Sequence, residues 1–138
     1  MKKRPPKPPD PETVVRVLPP RWRANDCAIW SLSTLTGIGY DEVLLAVAKV
    51  DKAAGRNGLY LGRLVRVAAL LGVTLKRKRK PDLTEDTGIL GLWMGRDGHA
   101  VVLKQGQIID VDATVWDAPS YLLAKRAIAG ELLMIAKP

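Results

Sequence analysis

Gly98-His99-Ala100-Val101-Val102-Leu103-Lys104-Gln105-Gly106-Gln107-Ile108-Ile109-Asp110-Val111-Asp112 reads as two β-runs, His99–Lys104 and Gln107–Val111, joined by the tight turn Gln105-Gly106. A two-residue turn pairs Lys104 with Gln107, and counting back along the antiparallel ladder sets His99 opposite Asp112. Side chains alternate along a strand, so Asp110 and Asp112 share the face toward which His99 points. Either carboxylate is then placed to hold an imidazole N–H. Asp112 is the preferred partner and Asp110 the reserve.

Working outward, short β-type runs also occupy Val73–Arg79, Ile89–Met94 and Glu131–Ala136, and Pro119 at a helix start with Tyr121, Leu122 and Leu123 predicts one short helix before the last run. Upstream the period changes to that of helices. Asn25 and Asp26 are good N-caps for a helix running from Asp26 or Cys27 to about Thr36, stopped by Gly37. Asp41 and Glu42 open a second helix carrying Val43, Leu44, Val47 and Val50 at helical spacing. A third carries Leu61, Leu64, Val65, Ala68, Ala69 and Leu71 and is closed by Gly72. The expected class is α+β: N-terminal helices packed on a small antiparallel sheet.

The 138 residues suit one domain, placed over residues 21–138. Residues 1–20 hold most of the ten prolines and predict an extended arm, the segment through which a protein partner would dock. After Met1-Lys2-Lys3-Arg4 comes a Pro-rich run, Pro5 to Pro11, instead of an apolar stretch, so no signal peptide is expected. Val43–Val50 and Val65–Leu71 are far shorter than the roughly 20 apolar residues that span a bilayer. The expectation is a soluble cytoplasmic protein of a bacterial or phage-infected cell, with no membrane contact.

The net charge of +8 invites a nucleic-acid reading until it is located. Residues 1–23 carry seven Lys/Arg against Asp10 and Glu12, and Lys76, Arg77, Lys78, Arg79 and Lys80 form a second basic run, which leaves the remainder at −2. A five-residue basic run on a strand is more often a solvated edge that blocks aggregation than a nucleic-acid site. Nucleic acid is therefore not the expected partner.

Cys27 is the only cysteine and His99 the only histidine. One cysteine excludes an intramolecular disulfide and a Cys-rich zinc site, and Cys27, His99 and the carboxylates lack zinc-type spacing, so no metal or other cofactor is expected. A thiol at a helix start gains from the positive end of the dipole, and an imidazole in reach takes its proton. Cys27 as nucleophile, His99 as base and an orienting carboxylate form a generalised triad. Its oxyanion would be met by the Cys27 backbone amide and the nearby Asn25 side chain. Asp26 reads as a helix cap, and Trp30 and Trp93 as core.

These residues also carry a resemblance. Asn25-Asp26-Cys27-Ala28, Leu32, Thr36-Gly37, Tyr40-Asp41-Glu42-Val43, Gly98-His99-Ala100-Val101-Val102 and Val111-Asp112-Ala113-Thr114 resemble the papain-like cysteine peptidase superfamily over roughly residues 21–115, nearest to bacteriocin-processing peptidases and small phage or bacterial proteins of that type. The resemblance implies a papain-like fold, peptide or protein substrates, Cys27 as nucleophile, His99 as base, and Asp112 or Asp110 as orienter. Arg21 stands where those peptidases carry a glutamine, which motivates the alternative of a papain-like module that binds a protein partner without catalysis.

Overall fold

The computed structural model describes residues 26–50 and 61–136. The expected arm over residues 1–20, Arg21 and Asn25 lie outside the described residues. Helix α1 (Cys27–Thr36) is buried from Ala28 through Ser33, six residues in succession, so it is covered all round rather than along one stripe. Gly37 ends it: at φ 77° this glycine enters the left-handed region without a Cβ penalty and returns its N–H to the Ser33 carbonyl. Helix α2 (Tyr40–Val50) is amphipathic, burying Tyr40, Val43, Ala46 and Val47, with Asp41 and Glu42 at its positive end and Lys49 at its negative end. Helix α3 (Leu61–Leu70) buries Leu64, Val67 and Ala68.

Six strands follow, β1 (Leu75–Lys78), β2 (Thr87–Met94), β3 (Asp97–Lys104), β4 (Gln107–Ile109), β5 (Val115–Asp117) and β6 (Ile128–Ile135), with helix α4 (Ala118–Lys125) before the last. They form one antiparallel sheet in the order β1-β6-β2-β3-β4-β5. The closing strand β6 thus lies between β1 and β2, and Leu132 and Leu133 are fully buried there. Gly88 permits the close β2–β6 approach, because a Cβ on it would collide with the Leu133 carbonyl oxygen.

The sheet is covered on both faces. Ile89, Ala100, Val102, Ile109 and Leu133 pack with α1, α2 and α3, whereas Leu90, Leu92, Val101, Leu103, Ile108 and Leu132 pack with Ala118 and Tyr121 of α4. This is why Ala100-Val101-Val102-Leu103 is a continuous apolar run instead of an alternating one. No helix among the described residues is long and apolar enough to cross a membrane.

The β3–β4 hairpin turns on Gln105 and Gly106, whose φ values of 44° and 89° are those of a type I′ turn, and Lys104 pairs with Gln107. The expected register holds as far as Val102 opposite Ile109. There β4 ends, two residues short of the expected Val111. The Asp110 N–H bonds the Thr114 carbonyl and the Ala113 N–H bonds the Asp110 carbonyl, so Val111 and Asp112 form a turn instead of extending the ladder. The chain then returns as the three-residue strand β5, too short for a periodic signal.

Candidate active site

Three chain segments converge on His99. Cys27, half-buried, opens α1 from one side; His99 sits near the start of β3 with its side chain 21% exposed; Asp110 leaves the end of β4. His99 Nε2 lies 2.9 Å from Asp110 Oδ1. That oxygen also accepts the Val111 N–H at 2.8 Å, and Asp110 Oδ2 accepts the Tyr121 hydroxyl at 2.8 Å. With Nε2 on the carboxylate, the neutral ring keeps its lone pair on Nδ1, the nitrogen left to take a proton.

Asp112, the preferred partner in the sequence reading, does not meet His99. It is exposed, and its Oδ1 accepts the Thr114 N–H at 3.0 Å and the Thr114 hydroxyl at 2.6 Å. The correction has a plain cause: counting to Asp112 assumes that β4 continues, but the Asp-Ala-Thr segment folds onto itself as an Asx turn, with Ala113 at φ 67°. Asp110, the residue nearest the strand end, is the carboxylate left within reach.

Burial would drive the His99 value down, but hydrogen bonding to Asp110 and Cys27, together with their charge, outweighs it and pushes the imidazole from 6.5 up to about 9. Asp110 moves the other way. Burial would raise it, yet the bonds from His99, the Val111 amide and Tyr121 hold it below the usual carboxylate value. A histidine raised on folding stabilises the fold fully below about pH 6.5, and that stabilisation fades as pH climbs through about 9. A lowered aspartate contributes above its unfolded value of 3.8 and loses its contribution as pH falls. Stability is therefore expected to be highest in the mildly acidic range and to decline as pH climbs toward about 9. Urea denaturation across this range, repeated on His99→Ala, checks it: the alkaline decline should flatten in the variant, and an unchanged decline would assign it to other groups.

Other expected residues fall elsewhere. Asp26 makes no capping bond to α1; its Oδ2 instead accepts the Tyr40 hydroxyl at 3.0 Å, tying the start of α1 to α2. Burial and the Asp26 charge push that hydroxyl far above the ordinary tyrosine value, so it remains a donor. Trp30 is core as expected, whereas Trp93 is 56% exposed, opposite Gly98 in the β2–β3 ladder, and is not. Lys76, Arg77 and Lys78 lie on β1, at the sheet edge and separated from β3 by β6 and β2, with Arg79 and Lys80 just beyond. Arg77 pairs with Glu131 at 3.1 Å and Lys78 with Asp86 at 2.7 Å.

Tyr121 is the residue at this site that sequence reasoning missed. It appeared only as an apolar position of a short helix, and no linear spacing relates it to Asp110. Among the described residues no group of three or more His, Cys, Asp or Glu side chains is arranged to hold a metal ion. The arrangement brings together a thiol, an imidazole and a carboxylate bonded to that imidazole, groups whose chemistry suits acyl transfer. No protein-family model matches the chain, and no curated protein matches it at a significant level.

Proposed function

We propose that this chain is a thiol hydrolase of papain-like type, cleaving an amide bond in a peptide or protein through Cys27, His99 and Asp110. The observation that carries the reading is the meeting of the only cysteine and the only histidine, remote in sequence, with a carboxylate on the second imidazole nitrogen. A buried central helix beginning at the cysteine, set against an antiparallel sheet bearing the histidine, supports the papain-like assignment.

In this mechanism His99 Nδ1 takes the Cys27 Sγ proton, and the sulfur attacks the carbonyl carbon of the substrate. The oxyanion that forms is met by the Cys27 backbone N–H at the start of α1, with Asn25 as the sequence's candidate for a second donor. As the tetrahedral species collapses, the C–N bond breaks and the His99 imidazolium gives its proton to the departing amine. Water, deprotonated by His99, then attacks the thioester, releasing the carboxylic acid and restoring the thiol. Asp110 stabilises the imidazolium at both proton transfers.

The test is labelling of the full chain with a peptidyl vinyl sulfone, read by intact mass. One adduct at Cys27 is expected, forming faster than on the same chain unfolded in denaturant and lost in His99→Ala. A native rate equal to that of the unfolded chain, unaffected by His99→Ala, overturns the reading and leaves a papain-like binding module.

A further inference from the structure

We propose that Tyr121 is a positioning residue of this site: its hydroxyl fixes the plane of the Asp110 carboxylate and, through it, the tautomer and aim of His99. The proposal rests on the thiol-hydrolase reading and adds to it a residue that touches none of the reacting atoms.

Asp110 Oδ1 is engaged twice, by His99 Nε2 and the Val111 N–H, while the bond to Oδ2 comes from the Tyr121 hydroxyl at 2.8 Å. Donors on one oxygen alone leave the carboxylate free to turn about its Cβ–Cγ bond. A donor on the second oxygen fixes the plane.

Tyr121 is itself held. It is fully buried, its ring meets the Trp116 ring edge-on at 5.6 Å, and the Lys125 ammonium sits 5.4 Å from the Trp116 ring centre and 5.9 Å from its own. The Asp117 side chain caps α4 through the Ser120 N–H, and the Ala118 N–H bonds the Gly106 carbonyl in the β3–β4 turn. Helix α4 is thus anchored to the hairpin that carries His99 and leads into Asp110. The Asp112–Thr114–Trp116 chain of hydrogen bonds, at 2.6 and 2.9 Å, closes the loop between them. Among the described residues, the titratable and charged groups around the imidazole are Cys27 of α1 and Asp110, and behind them Tyr121 and Lys125 of α4 and Asp112 of the turn.

If the ring mattered only for packing, phenylalanine would serve equally well. The test follows the single histidine by NMR titration of the full chain in wild type, Tyr121→Phe, Asp110→Ala and the double variant, with near-ultraviolet circular dichroism reporting the fold. Wild-type His99 is expected to titrate near 9 and to fall by about one pH unit or more in Tyr121→Phe, because an unpaired buried oxygen turns the carboxylate away. In the Asp110→Ala background the second substitution should change nothing further. An unchanged value in Tyr121→Phe overturns the proposal alone, as does an equal fall with Asp110 absent. A wild-type value near 6.5 overturns this proposal, whereas the hydrolase reading stands or falls on the vinyl sulfone labelling of Cys27. Should Tyr121→Phe fail to fold, the double variant is compared with Asp110→Ala: equal folding of the two is expected, because the partner of the hydroxyl is already gone, and a further loss in the double variant would place the role of the hydroxyl elsewhere and overturn the proposal.

Discussion

On the proposed mechanism, His99→Ala is expected to slow amide hydrolysis on the order of 10⁴-fold while slowing acyl transfer from a nitrophenyl ester by only about 10². The difference follows from the leaving groups. An amine must be protonated as it departs, so the amide loses both the base that takes the Sγ proton and the acid that releases the product. A nitrophenolate leaves without a proton and loses only the base. The chain contains one histidine, so no neighbouring imidazole replaces the lost one. The wild-type amide rate should also fall as pH rises through about 9, where His99 loses the proton owed to the leaving amine. Initial rates on both substrates, with Cys27→Ala as the blank, measure this. Equal losses would mean that His99 serves only one proton transfer, and no loss on either substrate would remove it from the mechanism.

Much of the fold was legible because local chemistry and tertiary structure agree. Gly37 and Gly72 stop helices at left-handed φ of 77° and 81°, and Gln105-Gly106 makes the turn that its type predicts. Of the site, Cys27 at a helix start and His99 near a strand start were equally legible, since each depends on one element boundary. The carboxylate was not, because its identity depends on where β4 stops, and strand ends are set by competition between the ladder and the turn that follows. Asp112 and Thr114 supplied the turn signal, but the strand pattern of Ile108 to Val111 masked it.

The remaining misreadings share a cause. Asp26 is a residue type that caps helices, but Tyr40, fourteen positions away, engages its carboxylate and no capping bond forms. Trp93 is large and apolar and follows buried Leu92, yet near the end of β2 it is exposed. Tyr121 reaches Asp110 from α4, a helix packed against Ile108 and Leu132. Each outcome is decided by the tertiary surroundings, a partner in a different element for Asp26 and Tyr121 and the strand end for Trp93, and residue type or period along the chain carries no information about them.

The two aspartates should separate sharply. Asp110→Ala is expected to lower amide turnover by roughly 10²- to 10⁴-fold and to destabilise the fold by on the order of 3 kcal/mol, because it strips the acceptor from His99 Nε2, the Val111 N–H and the Tyr121 hydroxyl together. Asp112→Ala removes only the exposed bonds to Thr114, costs about 1 kcal/mol or less and leaves turnover nearly unchanged. Asp110→Asn divides the aspartate's two contributions. Its amide oxygen accepts from His99 and Val111 where Oδ1 did, while its NH₂ points to the Tyr121 oxygen, so the orientation of the ring survives and only the charge is lost. The expected order of turnover is therefore wild type and Asp112→Ala, then Asp110→Asn, then Asp110→Ala. The His99 titration should fall toward 6.5 in both Asp110 variants and stay near 9 in Asp112→Ala. Steady-state rates and histidine NMR on the four proteins measure both orders. A larger loss in Asp112→Ala than in Asp110→Ala would return the orienting role to Asp112 and require β4 to extend two residues further than it does here.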